Sequence, residues 1–385
     1  MQTPSYVSLL AWTLGVLASQ LLVAGRSIAP RQAPDSNTTA AARVKATELS
    51  SPFNGLTTFN SVDYGKCFRI GTPAVTDRYD IAILGAPNDL TVTGRPGARF
   101  GPGAIRAAAS ESDFGYNIFT GRDAFSQGAK IVDCGDVSLS WTDKQEAFRL
   151  LDQAHQRVSE KPAANTSWSQ HPRILTLGGD HATTISALRS VHRVWGKVAV
   201  IHIDTHLDTG GSGRGLLLNY KDFDHGTVLH FAHEEGLTSD SSIHAGIHAA
   251  FGSANVTRRK CLAGDFEDDK RDGYEVIANR EIDKIGASGI VEKVHKRVGQ
   301  NRVYLSVDID VLDPAYAPGT GTPVVGGWTS RELLTVLNGL NGLNVVGADI
   351  VEVSPAYDSP GKTTALAAAQ VVAALIEIML ARPAI

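Results

Sequence analysis

The stretch VAVIHIDTHLD, residues 198–208, opens as an apolar run and closes with Asp204, His206 and Asp208 spaced two apart. Side chains alternate across a strand, so this spacing predicts that the three project from one face, with Ile203, Thr205 and Leu207 turned to the other. Neighbouring carboxylates that leave water lose hydration and repel one another, and a cation or a set of hydrogen-bond donors must offset that cost. A core strand that ends this way predicts a cation site at its carboxyl end.

The same plan recurs along the chain. Apolar or β-branched runs at 79–87, 129–137, 173–181, 241–247, 302–310 and 344–353 alternate with helical patterns at 101–112, 142–160, 182–194, 289–298, 329–340 and 363–381. That alternation predicts an α/β fold, a mostly parallel central sheet with helices on both faces. The run at 173–181 finishes in Asp180 and His181, that at 302–310 in Asp308 and Asp310, and Glu352 lies near the end of 344–353. Carboxyl ends of parallel strands are where such sheets bind ligands. Four strands therefore deliver acids and imidazoles to one edge.

With 385 residues the chain is long enough for one large domain, and nothing after residue 53 repeats or breaks in composition. Charged residues make up 20% and the net charge is −4, so no nucleic-acid partner is expected and a small molecule is. Residues 1–25 hold the almost uncharged stretch VSLLAWTLGVLASQLLVAG at 7–25, which reads as a secretory signal cleaved near Gly25; a retained membrane anchor is the alternative. No stable membrane association is expected after cleavage. Residues 26–52, rich in Ala, Pro, Ser and Thr, read as a linker or disordered arm, and the catalytic domain is expected over 53–385. Sequons at Asn37, Asn165 and Asn255 agree with a secreted glycoprotein. Cys67, Cys134 and Cys261, with no C-x-x-C pair, indicate neither a disulfide scaffold nor a thiolate zinc site; they allow one bridge and leave a thiol over.

His181, Asp204, His206, Asp208, Asp308 and Asp310 supply four carboxylates and two imidazoles, too many acids for one divalent ion and suited to two that share bridging carboxylates. Oxygen-rich ligation with some nitrogen and no sulfur points to manganese ahead of zinc, cobalt or nickel. A pair of such ions activates water, which makes metal-assisted hydrolysis the expected reaction class.

GGDH at 178–181, DTHLD at 204–208 and SVDID at 306–310 closely resemble the signature motifs of the ureohydrolases, the family of arginases and agmatinases. The resemblance extends to GRPGARFGPGAIR at 94–106, DHGT at 224–227 and DIVEVSPAYD at 349–358, and so to nearly everything from 53 to 385. It implies an arginase-like three-layer α/β/α fold, hydrolysis of a guanidino compound to urea and an amine, and assembly as a homo-oligomer. Carried onto this chain, it gives one Mn2+ to His181, Asp204, Asp208 and Asp308 and the second to Asp204, His206, Asp308 and Asp310. It makes His225 the proton shuttle and Glu352 the acid that receives the guanidinium, a planar cation that a carboxylate meets by paired hydrogen bonds. DHGT and DIVEVSPAYD look more like agmatinases and guanidinobutyrase-like members than arginases, so agmatine or a guanidinobutyrate-like compound is the expected substrate.

Two positions depart from the family pattern, Asn88 where an aromatic or large residue is common and His248 where many members have Arg, and the Gly-rich loop 209–224 is longer than in bacterial agmatinases. Arg95, Arg99 and Arg106 are candidates for a substrate carboxylate, with packing of the N-terminal strand and helix as their simpler role. Two other readings stand beside the hydrolase: a non-catalytic guanidine or polyamine binder of the same fold, and a zinc deacetylase of related fold.

Overall fold

The computed structural model describes residues 56–68, 78–112, 114–210, 223–249, 266 and 269–384. The expected signal, the arm, Asn37, Asn255, Cys261 and residues 211–222 lie outside the described residues. Among those described, the strands are β1 (Asp63–Tyr64), β2 (Ile81–Gly85), β3 (Ile131–Asp136), β4 (Arg173–Leu177), β5 (Ala199–Ile203), β6 (Ser242–Ile247), β7 (Tyr274–Ala278), β8 (Arg302–Asp308) and β9 (Asn344–Val351). The helices are α1 (Gly101–Ser110), α2 (Lys144–Ser159), α3 (Thr184–Trp195), α4 (Val228–Glu234), α5 (Ile282–Val298), α6 (Ser330–Gly339) and α7 (Thr363–Leu380).

The strands form one sheet in the order β1-β3-β2-β4-β9-β8-β5-β6-β7, and every pairing is parallel. Alternation within the strands makes the two outer layers. Ile81, Ile83, Ile201, Ile203, Leu305 and Val307 pack with Ile105, Ile290, Val336 and Leu375 of α1, α5, α6 and α7. Ala82 and Leu84 turn to Leu151 and Val158 of α2, while Val200, Tyr304 and Val346 meet Leu188 of α3 and Leu229 of α4. The result is the three-layer α/β/α fold. Helix starts follow local chemistry: the Asp143 side chain accepts from Glu146 N at 3.0 Å, and Thr329 and Glu332 cap one another reciprocally. The apolar α7 packs against α1 and α6 and is mostly buried, as a core helix is.

The structure departs from expectation at element ends. β5 stops at Ile203, so Asp204, His206 and Asp208 are gathered by a bent segment and not by strand alternation over the whole stretch. Helix α5 starts at Ile282, well before 289, with Gly286 at φ 67° inside it, a conformation open to glycine that hid the first turn from periodicity. The short α4, β1 and β7 were not foreseen.

At the sheet edge, Cys67 and Cys134 form a buried disulfide that ties the segment at 56–68 to β3. The bond closes a loop with a sequence separation of 67. Reduction, or Cys134→Ser, is expected to lower stability by about 2–4 kcal/mol, read as a fall in Tm with added reductant that the Cys134→Ser variant no longer shows. In α2, His155 is fully buried with neither ring nitrogen hydrogen-bonded, and burial pulls its pKa down to about 3. Its folded value lies below its unfolded one, so the stability it permits is present above about pH 6.5 and lost as pH falls toward 3. Acid unfolding curves are expected to show about 3 kcal/mol lost to this group by pH 4.5, and His155→Leu to remove that part of the pH dependence.

Candidate metal centre and active site

The four central strands β4, β9, β8 and β5 lie side by side and send their carboxyl ends to the same edge. After β4 the chain passes GGDH and enters a turn of 3-10 helix, His181–Thr183. A Cβ on Gly179 would stand 1.8 Å from Asn88 O, so only glycine lets the 86–90 segment cross here. Asp204 follows β5, and Asp308 ends β8 with its side chain accepting from Asp310 N at 2.8 Å. Asp208 and Glu352 adopt left-handed φ of 54° and 63°, a conformation that non-glycine residues hold only where surrounding structure imposes it.

These turns bring all six sequence-predicted ligands together. His181 Nδ1 lies 3.1 Å from Asp204 Oδ2, 3.0 Å from Asp208 Oδ2 and 3.2 Å from Asp308 Oδ2. His206 Nδ1 lies 3.1 Å from Asp310 Oδ2 and 3.5 Å from Asp204 Oδ1. Asp204 therefore touches both groups. Burial and then the charges of Asp310 and Asp204 push the Asp308 carboxyl well above its ordinary range. Burial also works against the Asp204 carboxylate, yet His202 and His181 hold it well below that range.

A second set of contacts decides what the cluster lacks. Ser306 Oγ donates its one proton to Asp349 Oδ1 at 2.6 Å, and Asp349 also accepts from Tyr304 and Thr184 at 2.7 Å. Ser306 must then accept from His181 Nε2, 2.8 Å away, which places a ring proton on Nε2 and turns Nδ1 to the acids. Nδ1 faces the carboxyl groups of Asp204, Asp208 and Asp308; burial opposes charge on the ring, but these acids push its pKa well above the ordinary value, while His181 Nδ1 and Asp204 Oδ2 are buried with no hydrogen-bond partner of good geometry. The cluster needs a positive charge at Nδ1, which a second ring proton supplies and which a bound ion takes over when it displaces that proton. The donor set of oxygens with imidazole nitrogen and no sulfur fits a hard divalent ion, and two groups, His181, His202, Asp204 and Asp208, and Asp204, His206 and Asp310, have ligand atoms close enough together to hold one.

His225 is buried beside the cluster. Its Nδ1 lies 2.9 Å from Glu352 Oε1, and its Nε2 receives Thr93 N at 3.0 Å with Thr93 Oγ1 at 2.7 Å. Burial opposes charge on this ring, but Glu352, with Asp208 and Asp180 behind it, pushes its pKa up to about 9. Glu352 Oε1 also accepts from His181 N at 2.8 Å, while Oε2 is buried without a partner. Buried Gly321 lies beside it, where an added Cβ would sit 3.5 Å from Oε2.

Both departures from the family pattern have structural work. Asn88 donates to Asp180 at 3.2 Å, and Thr91 reaches the same carboxylate through N at 3.0 Å and Oγ1 at 2.5 Å. Burial, then Glu352, raises Asp180 to about 7. His248 Nδ1 lies 3.0 Å from Thr205 Oγ1, bracing the residue between Asp204 and His206. Arg106 bonds Asp133 at 2.8 and 2.9 Å and Arg99 pairs with Asp89, so these two pack the N-terminal elements; Arg95 lies over the Tyr357 ring.

The family model described as Arginase family matches residues 79–377. The chain belongs to the arginase family. A Schizosaccharomyces pombe protein named as an agmatinase is 43% identical, covering 88% of this chain and 85% of its own. The agmatinase of Citrobacter koseri is 37% identical over 79% of this chain and 88% of its own. Among solved structures, proclavaminate amidino hydrolase from Streptomyces clavuligerus superposes with a TM-score of 0.71 at 32% identity, covering 86% of this chain and 99% of that one. As a member of the arginase family this protein is a ureohydrolase, a hydrolase of guanidino C–N bonds.

The arginase-family motifs did not point to His202, whose Nε2 lies 2.9 Å from Asp204 Oδ2. Behind it His244 Nδ1 stands 2.7 Å from His202 Nδ1, and His244 Nε2 is 3.5 Å from Asp269 Oδ1. Position 202 shares the parity of 204, so alternation would have found it. Ser306 opens the SVDID motif and shares the parity of 308, so the same alternation marks it, whereas Asp269 carried no comparable signal. Because Ser306 fixes the His181 tautomer, Ser306→Ala is expected to weaken metal retention roughly 10- to 100-fold, measured by chelator competition on the folded protein.

Proposed function

We propose that this ureohydrolase is a two-manganese amidinohydrolase acting on agmatine or a guanidinobutyrate-like compound. The observation that carries the metal reading is the buried cluster in which His181 Nδ1 faces the carboxyl groups of three aspartates and Asp204 joins it to His206 and Asp310. One ion would be held by His181, Asp204, Asp208 and Asp308, the other by Asp204, His206, Asp308 and Asp310, and when bound the pair supplies an activated water. Glu352 offers the free Oε2 to the substrate guanidinium while its Oε1 stays with His181 N and His225. That places the guanidinium beside His225 Nδ1, which can protonate the departing amine. The agmatinase names of the relatives support a guanidinoalkyl substrate.

The reading includes passage through the secretory route. It is supported by the apolar stretch 7–25 and by the Cys67–Cys134 bridge, a kind of bond that persists in oxidising compartments. Asn165 of the second sequon is exposed, as a glycan acceptor must be.

Urea release from agmatine, 4-guanidinobutyrate, arginine and 3-guanidinopropionate, measured after reconstitution with manganese, tests the reading. Urea from agmatine or guanidinobutyrate, reduced at least 100-fold in His225→Ala, is the expected result. Two bound ions per chain with no urea from any of the four would overturn the substrate assignment and favour the binding protein of the same fold.

A further inference from the structure

His225 is 7% exposed, yet one of its ring nitrogens touches an exposed residue. Thr93 approaches Nε2 twice, with its backbone N–H at 3.0 Å and its hydroxyl at 2.7 Å. The two groups differ in what they can serve. A backbone N–H only donates, so it requires a bare Nε2 and hence the neutral ring with its proton on Nδ1, toward Glu352. A hydroxyl donates or accepts, so it bonds Nε2 whether or not that atom carries a proton.

The charges that face the ring from the neighbouring elements, Glu352 at 2.9 Å with Asp208 and Asp180 beyond it, favour a second proton on the imidazole. The backbone contact opposes it. Nε2 is thus met by one group that only donates and one that can do either, and the hydroxyl is the group able to follow a proton there in both directions. Thr93 is also held in place: in the same loop Thr91 is bound to Asp180, Arg95 N donates to Gly321 O at 3.2 Å and Gly97 N donates to Asp89 at 2.8 Å.

We infer that Thr93 is the positioning residue of His225 and carries protons between its Nε2 and solvent. The inference rests on the hydrolase reading above. As the C–N bond breaks, its electron pair goes to the amine nitrogen and the Nδ1 proton follows. Nε2 takes the Thr93 hydroxyl proton, and Thr93 Oγ1 takes one from water. The proton set free when the next attacking water becomes a nucleophile resets Nδ1, and the Nε2 proton leaves through Thr93. No net proton is gained or lost by the protein.

The test compares wild type, Thr93→Val and Thr93→Ser as the manganese-loaded full chain. Thr93→Val keeps the shape and the backbone N–H and removes only the hydroxyl. Its kcat is expected to fall about ten-fold with KM within about two-fold, to recover in Thr93→Ser, and to rise again with imidazole buffer concentration, since a mobile buffer replaces a lost proton contact. An unchanged kcat, or a fall that neither serine nor buffer relieves, would overturn the inference. Nitrogen NMR of the histidine-labelled protein reads the ring without turnover: exchange of the His225 ring proton with solvent is expected to slow in Thr93→Val. A wild type that releases no urea fails the hydrolase reading, and unchanged ring exchange in Thr93→Val separately sinks the role of Thr93.

Discussion

An imidazole nitrogen buried against three aspartates is tenable only with a positive charge beside it, and much of the surrounding structure serves to hold it there. His181 keeps a proton on Nε2, because Ser306 has committed its own proton to Asp349 and needs that one. Asp349 is in turn satisfied by Tyr304 and Thr184, all of them buried. This rigid polar chain beneath the cluster preserves a site that demands positive charge, and its members come from β8, β9 and α3. The central sheet is thus both scaffold and electrostatic template.

Much of the architecture was legible because its causes are local. Apolar runs name the strands, the helical patterns at 142–160 and 329–340 contain the helices that form there, and acids at strand ends gather at one edge because parallel strands all end there. Less legible was what depends on contacts distant in sequence. Thr93 and His225 are 132 positions apart, and nothing in a loop threonine marks its partner. Asn88 reads as a departure from a pattern until Asp180 is seen beside it. Alternation also carried the 204–208 reading too far: β5 ends at Ile203, and a bend with Asp208 in a left-handed conformation completes what a straight strand would not.

Close approach of backbones shapes the rest of the site. Gly179 admits the 86–90 segment, and Gly321 lies against Arg95 O on one side and toward Glu352 Oε2 on the other. Side chains at these places would push the loop bearing Thr91 and Thr93 away from Asp180 and His225. Glycine here sets the distance between two loops, and through it the surroundings of the buried acid.

The order of strands also bears on how the chain reaches its native state. β9, residues 344–351, lies between β4 and β8, so the sheet half built on β4 and the half built on β8 and β5 have no direct pairing without it. During synthesis the two halves cannot be joined until nearly the whole chain is available, and Glu352 emerges in the same step. Such non-local parallel pairing is slow to form. Until β9 inserts, the acids after β5 and β8 remain separated from His181, so an incomplete chain does not present the assembled cluster to metal.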